Sequence, residues 1–355
     1  MPPIRVAVIG GGAFGRNHLR VYRELETAHP DLVQLAALVE PDPARRETAA
    51  QQYNIPTFAT VEDLFSWPLD FDAASICVPT IHHAAVAEKL LAANIDILIE
   101  KPIAASLAEA DRIITLADAH QRIVAVGHLE RFNPAVTATA SRLNNPMFFE
   151  AHRLSIFTPR SLDVDVVLDL MIHDLDIVLS LTNSPVREVR ASGIAILSRK
   201  ADIANVRVEF ESGCVANFTA SRVSTEQVRK LRLFQPGQYL SLDFARQELL
   251  TISVDPRVAA LIASGISTDA LAQLAAQQKA AASEADTASH PSAGFSLEKL
   301  DLPRAEPLRL ELENFLEAVR TRSTPRVDAR AGRAALSLAL QITTEIAAHA
   351  QRAGL

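Results

Sequence analysis

The chain has 355 residues, enough for two domains of ordinary size with a sizeable core. Its 48% hydrophobic and 22% charged content is that of a soluble globular protein. A net charge of −7 argues against nucleic-acid partners and obliges any anionic ligand to find a local basic pocket. Cys77 and Cys214 lie far apart with no CxxC partner, so neither a disulfide framework nor a zinc site is expected. No apolar run reaches the roughly 20 residues of a membrane helix. No charged n-region with an apolar h-region precedes the first strand. These features predict a cytoplasmic protein without a membrane partner.

Ile4–Ile9 is a β-branched run suited to a strand buried on both faces. It enters Gly10-Gly11-Gly12-Ala13-Phe14-Gly15, a G-x-G-x-x-G match, and then a helical pattern from Phe14 to about Leu25. In this motif Gly10 permits the tight turn, Gly12 lets a pyrophosphate approach, and Gly15 lets helix and strand pack closely. The helix start offers unpaired N–H groups and the positive end of its dipole. The next strand, Val33–Val39, ends at Glu40, where such folds place the acid that holds the adenine ribose 2′-OH. A carboxylate there repels a 2′-phosphate, so NAD is expected over NADP, although Arg45 and Arg46 lie nearby. A glycine-rich turn that binds nothing is the competing reading.

Helices are expected over Pro43–Gln52, Thr60–Phe65 and Ile81–Ala93, with strands over Ala73–Val78, Ile95–Ile99 and Ile123–Val126. Ser106-Leu107-Ala108-Glu109 is a capping box opening a helix to about His120. This alternation predicts a parallel, doubly wound sheet over residues 1–126. Ligands of such sheets bind beyond the carboxyl ends of the strands. That rule gathers Gly10, Gly12, Ala13, Phe14, Gly15, Glu40, Pro79, Thr80, Glu100, Lys101, Pro102 and His128 on one edge.

Residues 127–355 change character. Asn133-Pro134 opens a helix to about Leu143, Met147–Phe157 reads as a strand and Leu168–Leu181 as a helix. Strand-like runs follow at Val186–Leu197, Ile203–Glu211, Cys214–Ser221, Lys230–Phe234 and Gln238–Phe244, with a hairpin turn at Glu211–Cys214. A second, α+β domain with a largely antiparallel sheet is expected. Residues 258–292 are alanine-rich and polar, read as a mobile insertion. Amphipathic helices resume over Glu311–Arg320 and Ala329–Ala350.

Together these motifs resemble the glucose–fructose oxidoreductase and inositol dehydrogenase family (Gfo/Idh/MocA) along nearly the whole chain. The residues that carry the resemblance are Gly10–Gly15 with His18, Val78-Pro79-Thr80 with His83, and Glu100-Lys101-Pro102. Arg131-Phe132-Asn133-Pro134, Asp169 to His173 and Glu311 to Phe315 add to it. The resemblance implies an NAD(P) domain joined to an α+β domain whose open sheet mediates a homo-oligomer, dimer or tetramer. It also implies oxidation of a secondary alcohol on a sugar or polyol. The run Gly127–Val136 looks most like family members that act on the 3-hydroxyl of UDP-N-acetylglucosamine.

The family's catalytic lysine, aspartate and histidine map onto Lys101, Asp169 and His173, and a cofactor-side histidine onto His83. A lysine ending a strand before a proline suits an ammonium that steadies alkoxide character as hydride leaves. Asp169 and His173 are spaced i, i+4 and share a helix face, and imidazole suits a base that removes the hydroxyl proton. For a sugar-nucleotide substrate the expected contacts are Lys101, His128, Arg131, Asn133, Arg153, Arg160 and His173, the arginines by fork geometry. An ordinary salt-bridge role competes for each arginine. A solvated acidic helix face, or a metal held by Asp169 and His173, competes with the catalytic reading; no metal is expected. The alternatives in function are a dehydrogenase of inositol or a free monosaccharide, and a non-catalytic, nucleotide-sensing regulator.

Overall fold

The computed structural model describes residues 2–68, 70–157, 164–255, 258–260, 264–265, 273 and 295–354. Two sheets organise them. The first holds six parallel strands in the order β3-β2-β1-β4-β5-β6: β1 (Ile4–Ile9), β2 (Val33–Val39), β3 (Thr57–Phe58), β4 (Ala73–Ile76), β5 (Asp96–Glu100) and β6 (Val124–Gly127). The connecting helices are α1 (Ala13–Ala28), α2 (Pro43–Tyr53), α3 (Val61–Ser66), α4 (His83–Ala92) and α5 (Leu107–His120). Their ends follow local chemistry. The Asp42 side chain accepts the Arg45 N–H, with Pro43 in the first turn of α2, and Asn54 ends that helix in the left-handed region. Reciprocal capping boxes start α3 at Thr60 and Asp63 and α5 at Ser106 and Glu109.

The second sheet has eight strands in the order β14-β13-β12-β11-β7-β10-β9-β8. These are β7 (Phe148–Ile156), β8 (Val186–Ile194), β9 (Ile203–Phe210), β10 (Val215–Ser224), β11 (Val228–Gln235), β12 (Gln238–Asp243), β13 (Glu248–Val254) and β14 (Phe295–Leu300). Every pairing is antiparallel except that of β7 with β10. Helix α6 (Pro134–Ala140) packs on β12 and β13, and α7 (Ile172–Thr182) on β7. Strands β13 and β14 extend the sheet beyond the expected runs. The expected insertion at 258–292 falls almost wholly outside the described residues.

The compact units cut the chain differently from a single boundary at residue 126. One contains Met1–Phe132 and Ala305–Leu340, the other Asn133–Arg304 and Gln341–Leu355. The reason is packing. Helix α8 (Pro307–Thr321) inserts Leu308, Leu312, Phe315, Leu316 and Val319 into one buried cluster with Val6, Val8, Leu19, Tyr22 and Leu38 of the first unit. Beyond it, Val327 O accepts the Val126 N–H at 3.0 Å, so the stretch before α9 (Ala329–Ala353) pairs with β6. Among the described residues no helix is long and apolar enough to cross a membrane.

Phe315 is 1% exposed, so Phe315→Ala should destabilise the protein by about 3–5 kcal/mol. Chemical denaturation should show the loss as a lower midpoint; an unchanged midpoint would contradict this placement of α8.

Candidate active site

The glycine turn comes first. Gly10 has φ +103°, a conformation that L side chains rarely adopt. A Cβ on Gly15 would lie 1.8 Å from the Gly10 carbonyl oxygen, so α1 can rest this close to β1 only with glycine there. A Cβ on Gly12 meets nothing within 4 Å. That open space, with Ala13 and Phe14 exposed at the start of α1, is what a pyrophosphate needs. Glu40 is 4% exposed; its Oε2 accepts the Gly11 N–H at 2.6 Å and its Oε1 the Asp42 N–H at 3.0 Å. An ionised carboxylate has about four lone-pair sites, so Glu40 can brace the glycine loop and still accept a ribose hydroxyl. The Arg45 guanidinium stands 3.8 Å from Glu40, and Arg46 donates to the carbonyls of Glu40 and Pro41 at 2.8 Å each. Both arginines thus lie beside Glu40, whose carboxylate repels a 2′-phosphate, in agreement with NAD.

Size does not locate the site. The larger hollow, about 560 Å³, is lined by Ala28–Leu32 with Glu313 and Arg320, before the start of β2 and away from the glycine loop. A smaller one, about 240 Å³, adjoins Gly11 and is lined by Arg16, Leu38, Ala44, Arg45 and Tyr53.

Beyond β4 and β5, the residues expected to face the cofactor divide. Pro79 is exposed and Thr80, half-buried, opens a 3₁₀ turn to His82. Lys101 and Pro102 are half-buried at the end of β5. Glu100 and His83 have partners inside the fold. Glu100 is 6% exposed and pairs with His18 Nε2 at 2.8 Å. His83 is 1% exposed, with Nδ1 2.9 Å from the Pro102 carbonyl and Nε2 2.9 Å from the Val78 carbonyl. It therefore ties the loop after β4 to the loop carrying Lys101, a role its sequence position did not reveal. His128 is buried after β6, and Arg131, half-buried, donates to the Arg326 carbonyl at 3.4 Å.

In the second unit, Asp169 and His173 do lie on one helical segment, but it is not a regular α-helix. Val167–Met171 forms a π-helical turn before α7 resumes at Ile172. Such turns insert an extra residue and occur often at functional sites. Asp165 starts it: Oδ1 accepts the N–H groups of Val167 and Leu168 at 2.9 and 3.0 Å. Asp169 and His173 are both partly exposed. Among the described residues no group of three or more His, Cys, Asp and Glu could hold a metal ion.

Two expected substrate ligands have protein partners. Asn133 is buried; its Oδ1 accepts the Ala135 N–H at 3.1 Å as the cap of α6 and its Nδ2 donates to the Phe244 carbonyl at 3.0 Å. Arg153 is buried and forms a bidentate pair with Asp174. Arg160 lies outside the described residues.

A glycine turn between parallel strand and helix, braced by an acid from the next strand, defines a dinucleotide-binding domain; a mixed-sheet unit follows it in the chain. Comparison with known proteins narrows the class. Residues 4–128 match the model of the oxidoreductase family, NAD-binding Rossmann fold, and residues 135–234 match the GFO/IDH/MocA C-terminal domain. The chain belongs to the Gfo/Idh/MocA family of NAD-binding oxidoreductases. It is 34% identical over 98% of its length, and 99% of the relative's, to the UDP-N-acetylglucosamine 3-dehydrogenase of Acidithiobacillus ferrooxidans. A solved structure of that enzyme superposes with a TM-score of 0.82 over 98% of this chain and 99% of that one. An inositol 2-dehydrogenase from Acidothermus cellulolyticus is 29% identical over 53% of this chain and 56% of its own.

Two predictions follow from the geometry. Gly12→Ala should leave thermal stability nearly unchanged yet weaken NAD binding, whereas Gly15→Ala should cost at least about 2 kcal/mol in stability. Calorimetry with NAD titration checks both, and equal stability losses would contradict the assignment. The second concerns His83, whose pKa burial pushes below the ordinary value, against the Pro102 and Val78 carbonyls and Glu100, which raise it. A histidine depressed on folding contributes stability that is complete above its unfolded value near 6.5. That stability is lost as pH falls through the folded pKa, because the unfolded chain then binds more protons. His83→Gln should therefore flatten the acid-side fall of the thermal midpoint; an unaltered slope would contradict it.

Proposed function

We propose that this oxidoreductase removes hydride from a secondary alcohol of a sugar nucleotide, the 3-hydroxyl of UDP-N-acetylglucosamine, leaving a 3-keto sugar and NADH. One observation carries the reading: the similarity to a protein so named spans both units, end to end. The similarity to inositol 2-dehydrogenases is weaker, 27–29% identical over 53–66% of this chain, which makes inositol or a free monosaccharide the second reading. A nucleotide-sensing regulator is the third. It is opposed by Lys101, Asp169 and His173, which a sensor does not need.

Bound nicotinamide supplies the hydride acceptor. The protein's part is positional and electrostatic. The N–H groups of Gly12 to Phe14 would hold the pyrophosphate and Glu40 the ribose. In this reading His173 takes the hydroxyl proton as hydride departs. The Lys101 ammonium steadies the growing negative charge on oxygen, and Asp169 holds and tunes the imidazole. Arg131 and Arg160 are the candidates for the substrate's diphosphate. We further assign the second unit to substrate binding and oligomerisation. Strand β9 alternates buried and exposed residues, leaving one sheet face open, and a dimer or tetramer through that face in the cytoplasm fits the reading.

The test is absorbance at the NADH band after mixing protein and NAD with UDP-N-acetylglucosamine, its uronic acid, myo-inositol or glucose. A rise only with UDP-N-acetylglucosamine is expected; a rise with inositol or glucose alone would overturn the sugar-nucleotide reading. Lys101→Ala should lower kcat by about 10²–10³-fold while NAD binding persists. Undiminished turnover would remove the lysine from the mechanism.

A further inference from the structure

We propose that Arg153 is a positioning residue for His173, acting through Asp174. The proposal rests on the reading of His173 as the base. Arg153 stands in the middle of β7, paired across to Ala220 of β10 and Arg229 of β11. Its side chain is 4% exposed and that of Asp174 3%. Nε donates to one carboxylate oxygen at 2.9 Å and Nη2 to the other at 2.8 Å, a two-bond fork in which neither plane can turn freely. The guanidinium carbon also stands 5.3 Å over the Phe244 ring. The Phe244 carbonyl in turn takes the Asn133 amide.

Asp174 is the residue after His173 in the first turn of α7. Successive helix residues are related by a fixed rotation, so anchoring the Asp174 carboxylate fixes the direction in which His173 leaves the helix. The need for an anchor is local. The π-helical turn that ends at Met171 interrupts the regular ladder immediately before His173, so the preceding residues do not set the phase of α7 as an unbroken helix would. A buried ion pair is also an expensive way to hold a helix on a sheet, because desolvation offsets much of the attraction and apolar packing holds as well. A planar fork adds what apolar contact lacks, a defined rotation and height. The same occupancy argues against Arg153 as a ligand of the substrate diphosphate.

The test compares wild type, R153K and R153M/D174L as full-length protein with NAD and UDP-N-acetylglucosamine. Lysine keeps the charge but loses the fork; the double variant removes both charges and fills the space with apolar groups. R153K should lower kcat by about 10- to 100-fold and displace the acid limb of its pH profile. The KM for UDP-N-acetylglucosamine and the Kd for NAD should hold within about twofold of wild type. R153M/D174L should recover a wild-type thermal midpoint and still turn over as slowly as R153K. Three results would overturn the proposal: R153K with wild-type kcat and acid limb, R153K raising only the substrate KM, or the double variant regaining kcat with its stability. Two controls separate this from the underlying reading. H173A with full kcat would remove the base assignment. The His173 imidazole resonance, identified by its absence in H173A, should titrate at a displaced pH in R153K without substrate; an unmoved titration overturns the positioning role whatever the substrate proves to be.

Discussion

Everything in the first unit depends on how closely α1 lies against β1. The Gly10 carbonyl occupies the place where any side chain at residue 15 would begin, 1.8 Å from the built Cβ position. That contact sets the angle at which α1 leaves the sheet and so aims its first N–H groups. Glu40 then locks the loop from the second strand by accepting the Gly11 N–H. One backbone approach and one carboxylate thus shape the pyrophosphate cradle before any ligand arrives. The same α1, with Leu19, Tyr22 and Leu25 buried, joins the cluster into which α8 packs. Helix α8 therefore supports the glycine-loop end of the first sheet although it lies nearly 300 residues away in sequence.

Much of this was legible because the signals are local. Alternating buried strands and helices, the capping box at Ser106–Glu109, the helix start at Thr60, the Asn133-Pro134 start and the hairpin at Glu211–Cys214 are each written within a few residues. The structure places them within a residue or two of expectation. The features that escaped are non-local or depend on partners. Nothing in Glu311–Arg320 says that its apolar stripe belongs to the first sheet, since a helix face does not name what it covers. The π-helical turn at Val167–Met171 was hidden because apolar spacing reads as ordinary α-helix and one inserted residue barely disturbs it. Strands β13 and β14 flank the alanine-rich segment, where the pattern of alternation is least continuous.

The candidate site shows the same division. Gly10 and Gly15 each answer to a backbone constraint, and Glu40 accepts a backbone N–H of the glycine loop, so their places follow from the local pattern. The charged and amide residues are the ones whose partners could not be foreseen. Arg153 meets Asp174, Asn133 caps its own helix, Glu100 meets His18, and His83 spans two loop carbonyls. Each has a protein partner that its place in the sequence does not announce. Their common feature is burial, which a fork or an amide tolerates only when its hydrogen bonds are met inside. Lys101, Asp169 and His173, by contrast, are only partly buried.

The central claim is that the bond broken is C–H at carbon 3 of the amino sugar, with hydride delivered to nicotinamide. The most direct measurement uses UDP-N-acetylglucosamine carrying deuterium at that carbon, with the reduced cofactor recovered and examined by NMR. The account predicts deuterium on carbon 4 of the nicotinamide ring and a matching 3-keto sugar nucleotide. Reduced cofactor formed without the label, or label retained in the sugar, would contradict it.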